Sequence, residues 1–403
     1  MEDLIIYQIF PDRFYKSGEN NYYKHLRPWR QKPSRSSFFG GNLKGIIEKM
    51  DYLKDLGINA LYLTPLFKSP STHKYDIEDY FQIDPGFGNM EDFEHLLKCA
   101  HEKGIKVFLD GVFNHTGICF FAFEDIRQKG EQSKYYNWYN IHQTPLKLKP
   151  KPSYEDAGIY YIPKLNHDFP EVVDYLKKII RYWTNKGIDG WRFDMPWCMP
   201  PEIVNALIKE AKTMDQSITV IGETWEQPNQ LLKNYHFDGA MDYIVRNSVI
   251  NLLNQKISFE AFKQALDYKT KQPNSQNWNM LGSHDTKRIR GALNRNLKKV
   301  LIAQAIQFFL PGYPVIYYGD EIGLYRGKDP DCRRTFKWDR EEWNETIYQN
   351  VKTLIKLREQ HSDLFTEGSC HFLQYENGLT IKRQLKQKTI SLKIDIKQLA
   401  YTF

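Results

Sequence analysis

The sequence contains no long apolar run; nothing approaches the roughly 18 residues that a membrane span needs. Its opening, Met1-Glu2-Asp3-Leu4-Ile5-Ile6-Tyr7, sets two acids before a short strand-like run. That is not the basic, long-apolar, small-residue order of a secretory leader, so a cytoplasmic protein with no membrane partner is expected. Cysteine is scarce: five in 403 residues (Cys99, Cys119, Cys198, Cys332, Cys370), with no Cys-x-x-Cys or other metal-ligand spacing. The odd count argues against a full disulfide framework. Charge of one sign is never concentrated. The +7 excess comes from 56 basic and 49 acidic residues, and no block of five or six like charges occurs. A nucleic-acid partner is therefore not expected. What is present is an ordinary globular mixture, 41% apolar and 26% charged, which excludes wholesale disorder. Aromatics reach 15%. Flat rings either fill a core or stack on sugars, and composition does not choose between the two.

Strand-like and helical patterns alternate. The apolar runs are 4–10, 60–66, 106–113, 190–195, 219–225, 240–245, 279–283 and 314–319. Between them lie amphipathic stretches, such as Ile46, Ile47, Met50, Leu53 and Leu56, stopped by Gly57. Eight strands with intervening helices predict an α/β fold, a closed (β/α)8 TIM barrel. An open doubly wound sheet is the alternative, although no glycine-rich phosphate turn follows the first run. The third connection is too long for a simple loop, and residues 114–169 are expected to form a small excursion domain over the barrel mouth. The barrel itself is assigned to 1–113 and 170–360. After that, four short strand patterns predict a small antiparallel β domain over 361–403.

In such a barrel the C-terminal ends of the strands face the active site. The third strand runs into Asp110 and then Asn114-His115, the fourth carries Arg192 and Asp194, the fifth ends at Glu223, and the seventh at His284-Asp285. Each acid alone is explained as a helix cap. Four carboxylates, two histidines and an arginine at one mouth are not, because crowded carboxylates raise one another's pKa. One carboxylate held ionised beside a cation and another held protonated is the division of labour that cleaves glycosidic bonds.

These segments resemble the conserved regions of the α-amylase family of glycoside hydrolases, in the family's order: DGVFNH, GWRFD, GETWE and GSHDT. IYQIFPDRF, HKYDIEDY (73–80), IPKLN (162–166), YYGDEIG (317–323) and CRRTFKWD (332–339) also match, and IPKLN is similar to the neopullulanase, cyclomaltodextrinase and maltogenic amylase group. The resemblance implies a retaining hydrolase acting on α-1,4, and in some members α-1,6, bonds of maltooligosaccharides, cyclodextrins or pullulan. It implies Asp194 as nucleophile, Glu223 as general acid/base and Asp285 as the third carboxylate. Tyr75, Asp76, His115, Arg192, His284, Trp197, Trp225, Asp329 and Arg333 are expected to contact substrate, Arg192 also keeping Asp194 ionised. Asp110 and Asn114 are expected to be structural. A transglycosylase or phosphorylase on the same barrel is the alternative enzyme. A non-catalytic carbohydrate-binding or interaction protein is the alternative of another class, and it would be expected to have lost one of the three acids.

Three departures stand out. The group carries a β domain before IYQIFP, whereas only three residues precede Leu4 here, so dimerisation through that domain is not expected. Asp194 is followed by Met195-Pro196-Trp197-Cys198 where the group reads Val-Ala-Asn-Glu. Calcium-dependent relatives have a histidine where Cys198 stands. No cofactor and no metal are expected to be required, calcium included, since a hard cation wants several oxygen ligands.

Overall fold

The structure, a computed structural model, describes residues 2–19, 22–271 and 275–403. Eight of the apolar runs become eight short parallel strands, nearly every residue of which is buried: β1 (Ile6–Ile9), β2 (Ala60–Leu63), β3 (Lys106–Gly111), β4 (Gly190–Phe193), β5 (Thr219–Gly222), β6 (Gly239–Asp242), β7 (Trp278–Met280) and β8 (Tyr313–Tyr317). Neighbours in the chain are neighbours in the sheet, and β8 returns to β1 with Val315 opposite Ile6. The barrel is closed, as the alternation of strands and helices predicts, and the open sheet is excluded.

Alternate side chains on these strands point inward. Ile6, Tyr62, Phe108, Met241, Trp278, Met280 and Val315 belong to one buried cluster, separate from the larger core between strands and helices. To this layer β4 contributes a glycine. A Cβ on Gly190 would lie 2.2 Å from the Phe108 ring and 2.7 Å from the Thr219 carbonyl oxygen, so bare backbone is what admits the phenyl ring. Two residues further along, the same faces carry Asp110 and Arg192, which the β3–β4 register sets opposite each other. A polar layer thus sits on the apolar plug at the C-terminal ends of the strands.

The surrounding helices follow the amphipathic pattern. The helix Pro170–Asn185 begins on a proline, whose fixed φ suits a first turn, and buries Val172, Leu176, Ile179, Ile180 and Trp183. The stretch from Ile46 to Leu56 is two helices rather than one, Leu43–Glu48 and Met50–Leu56, broken at Lys49; the second ends at Gly57 with φ 94°. After β2 an antiparallel ribbon appears, Phe67–Lys68 against Asp79–Ile83, whose first strand is too short to show as a sequence pattern.

Residues 114–169 leave the barrel after β3 and return before the helix at Pro170. The helix Phe121–Lys129 and the bridges His115–Lys164, Tyr139–Leu165, Ile141–Tyr154 and Asp156–Pro163 organise them. Ala157, Ile159, Tyr161 and Ile162 from this segment face the barrel mouth. At the other end of the chain, β9 (Ser369–Tyr375), β10 (Gly378–Leu385), β11 (Lys388–Asp395) and β12 (Ala400–Thr402) form an antiparallel four-stranded sheet, as expected. Arg383 of β10 is buried and donates to the carbonyls of Leu364, Phe365 and Gly368, the open end of the helix Ser362–Thr366. Among the described residues no helix is long and apolar enough to cross a membrane.

Candidate active site

The polar layer is built around one guanidinium. Arg192 is completely buried, and its Nη1 donates to Asp110 Oδ1 and to Asp194 Oδ1, each at 2.8 Å. Its Nη2 lies 2.9 Å from Glu223 Oε2, close enough to pair charge but out of line for a hydrogen bond. Glu223 Oε2 instead accepts the backbone N–H of Met195 at 3.0 Å. Met195 has φ 44°, a left-handed conformation uncommon for a residue with a side chain. That turn carries the chain away from β4 immediately after Asp194 and aims the Met195 N–H at Glu223.

Three carboxyls on one cation are not neutralised together. Burial raises the Asp194 carboxyl well above its ordinary range; Arg192 pulls it down, and Glu223 and Asp110 push it up again. Burial raises Glu223 as well, against Arg192 and the Met195 N–H. Asp110 is raised by burial but is held by Arg192 and by the hydroxyls of Tyr62 at 2.5 Å and Tyr75 at 2.9 Å. The trio titrates as a unit and retains protons well above the pH at which a solvated carboxylate loses them.

A hydrogen-bonded chain enters this layer from β1. Gln8 Nε2 lies 2.8 Å from His284 Nδ1. With the amide donating, His284 carries its proton on Nε2, which is 2.7 Å from the Tyr75 hydroxyl and 3.1 Å from Asp285 Oδ2. Tyr75 in turn donates to Asp110, and its ring lies parallel to the His284 ring, centroids 5.5 Å apart. Burial lowers His284 to about 3 and His115 to about 4, so both are neutral imidazoles. His115 Nε2 has no partner, although the residue lines the cleft. Asp285 is the more open acid. Burial would raise it, but His284, Arg333 and Arg192 outweigh that and hold it below the ordinary range.

These groups border a cleft of about 740 Å³. Of the residues anticipated from sequence, Asp194, Glu223, Asp285, Tyr75, Asp76, His115, His284, Trp197, Trp225, Asp329 and Arg333 all line it. Arg192, Asp110 and Asn114 do not. The expectation that Arg192 touches substrate is corrected here: β4 turns it into the barrel beneath the cleft, where it positions Asp194 and Glu223 instead. Asp76 accepts from the Ser69 and Ser71 hydroxyls. The backbone before it is pinned by Lys74, itself left-handed at φ 66°, whose ammonium is buried on Asp84 at 2.6 Å. Trp197 and Trp225 are 42% and 43% exposed in the cleft, and Trp225 lies flat on Tyr243 with centroids 4.1 Å apart. Arg333 is a buried side chain; it donates to Asp285 at 3.2 Å and to the His284 carbonyl at 2.8 Å, and pairs its charge with Asp329 at 3.1 Å.

Sequence reasoning missed Gln8, Tyr62 and the Met195 amide. Gln8 lies in a quoted motif, and an uncharged polar residue inside an apolar run was the available signal. As for a cation, Asn114 Oδ1 is a buried acceptor without a partner, but among the described residues no three His, Cys, Asp or Glu side chains gather as a metal site. One amide oxygen does not make the six to eight oxygens that calcium takes.

A closed barrel whose mouth joins two carboxyls on one guanidinium, with a third acid and neutral histidines beside them, has the arrangement of a two-carboxylate glycosidase. The alpha amylase catalytic domain matches residues 8–371, and the chain belongs to the alpha-amylase family. It is 41% identical to a cyclomaltodextrinase of Thermoanaerobacter pseudethanolicus over 96% of this chain and 69% of the relative. It is 38% identical to an intracellular maltogenic amylase of Bacillus subtilis over 97% of this chain and 68% of that one. The structure superposes on the cyclic α-maltosyl-(1→6)-maltose hydrolase of Arthrobacter globiformis, in complex with that sugar, with a TM-score of 0.94, at 32% identity and covering 98% of this chain and 90% of the other.

Proposed function

We propose that the chain is a retaining α-glucan hydrolase, with Asp194 as nucleophile and Glu223 as general acid/base. The observation that carries this is the sharing of Arg192. Asp194 takes an aligned hydrogen bond from the guanidinium and Glu223 does not, so the anion belongs on Asp194 and the retained proton on Glu223. Attack by Asp194 on the anomeric carbon and proton delivery from Glu223 to the leaving oxygen form a glycosyl-enzyme. Glu223 then takes a proton from the incoming water, which releases the sugar. Retention requires carboxyls about 5–5.5 Å apart, and anchorage to one guanidinium supports such a spacing. Neutral His115, whose Nε2 has no partner among the described residues, donates to the sugar hydroxyls, and Asp285 accepts from them. No metal is needed in these steps.

The substrates we infer are maltooligosaccharides and cyclodextrins, cleaved at α-1,4 bonds, with α-1,6 bonds also admitted; the names of the relatives support this range. A cytoplasmic location is proposed on the same footing. Asp194→Asn is expected to lower hydrolysis of p-nitrophenyl-maltoside by at least about a thousandfold, and survival of the activity would reassign the nucleophile. Chromatography of the products from maltohexaose, β-cyclodextrin and pullulan then identifies the substrate.

A second reading, transfer of the glycosyl group to another sugar, is favoured by the two open indoles. Trp197, and the face of Trp225 turned away from Tyr243, offer flat surfaces for an acceptor ring. Trp197→Ala is expected to reduce transfer products from maltotriose relative to glucose and maltose, with the total rate of bond cleavage changed less.

A further inference from the structure

A second cavity, of about 540 Å³, lies between the loop after β1 and the loop after β8, with no lining residue in common with the cleft. The two loops face both ways, Arg333 toward the cleft and Arg334 toward this cavity. Trp29 lines it. The indole N–H is tied to the Phe336 carbonyl at 2.8 Å, and among the described residues no aromatic ring or cation lies against the indole face. Arg290 and Arg326 line the same cavity and, with Arg295, form a cluster of like charge. The guanidinium carbons of Arg290, Arg295 and Arg326 lie 5.1, 5.6 and 4.6 Å from the centroid of one ring, that of Tyr325. Three other cations of this cavity have carboxylate partners: Arg30 and Lys337 share Glu342, and Arg334 holds Asp331, while Lys16 has no ion pair among the described residues. Among the described residues, Arg290, Arg295 and Arg326 have none.

The cluster is imposed by the backbone. Asn294 and Arg295 are both left-handed, at φ 53° and 62°, and the Arg295 N–H closes the turn on the Arg290 carbonyl at 2.8 Å. Strain of that kind gathers where a site must be held. Arg290 spends Nη1 on the Gly323 carbonyl, while its Nε is buried without a partner. Burial and the like charge of Arg295 push its guanidinium down.

We propose that this cavity binds a phosphorylated sugar, with the sugar ring on the face of Trp29 and the phosphate on Arg290 and Arg326. A phosphate supplies the missing anion, and its oxygens fit guanidinium forks. A neutral sugar leaves the repulsion in place, and a bare phosphate leaves the indole uncovered.

The test is calorimetric titration of the full chain with glucose 6-phosphate at low salt, with inorganic phosphate and glucose as controls. Glucose 6-phosphate is expected to bind and to raise the melting temperature. Arg326→Gln, an exposed position, and Trp29→Ala are each expected to weaken it at least about tenfold. Hydrolysis of p-nitrophenyl-maltoside is expected to be unchanged in Arg326→Gln. Absence of binding at about 10 mM overturns the proposal. So does equal affinity for either control, or an affinity that Arg326→Gln leaves intact.

Discussion

Glu321 is a buried carboxyl with no cation beside it among the described residues. Its Oε1 accepts the hydroxyls of Tyr7 and Tyr52, both at 2.7 Å, and Oε2 has no partner. Burial raises it to about 7 from an ordinary 4.5, against those two hydrogen bonds. Between these two values the folded chain holds a proton that the unfolded chain has lost. The stabilisation is therefore complete below pH 4.5 and disappears as pH rises through about 7. At about 1.4 kcal/mol per pKa unit, the whole effect is about 3 kcal/mol. Glu321→Gln, which is neutral throughout, is expected to melt increasingly above the wild type as pH goes from 5 to 8. A constant difference in melting temperature would contradict this. The motif YYGDEIG was visible in the sequence, but a solitary buried acid was not, since sequence spacing does not reveal which charge lacks a counter-ion.

At the scale of elements, what decides the site is register and turn. Pairing of β3 with β4 sets Asp110 opposite Arg192 and Phe108 opposite Gly190 in a single stroke. Gly190→Ala is expected to cost about 1–3 kcal/mol, because its methyl group would meet the Phe108 ring and the Thr219 carbonyl together. Thermal melts check this, and an unchanged midpoint would mean that Phe108 has room to move. The strands and most helices were legible because their periodicity is local. So were the acids at the strand ends, since strand ends are where barrel chemistry collects. The break at Lys49, the short ribbon after β2 and the left-handed turn at Met195 were not. They depend on what the neighbouring chain packs against, and Met195 is a residue type that gives no warning of a positive φ. Arg192 was found as a residue but misjudged in its contacts: a two-residue period tells which face it shares with Asp194, not how deep that face lies.

Across the whole molecule the cleft behaves as one titrating body. With Asp194 and Glu223 in the proposed roles, rate requires the nucleophile bare and the acid protonated, so activity falls when a proton is added to the first or removed from the second. Burial raises both carboxyls, which sets both limbs of the profile of kcat/KM against pH above the ordinary carboxylate range. The histidines, lowered by burial to about 4 and about 3, take no part near neutrality. His115→Asn is expected to lower the height of the profile and leave its limbs where they are. A limb that vanishes with His115 would return that histidine to the proton chemistry.

The hydrogen-bonded chain that ends at Asp110 starts at Gln8, and Asp285 is held by Arg333. The reacting centre is therefore stitched from the first strand to the last, with hardly any of the barrel left out. A ribosome that has released only the first half of the chain has delivered Asp194 and the guanidinium that holds it, but neither Glu223 nor Asp285. The site is incomplete until synthesis has passed residue 333 and the ring has shut.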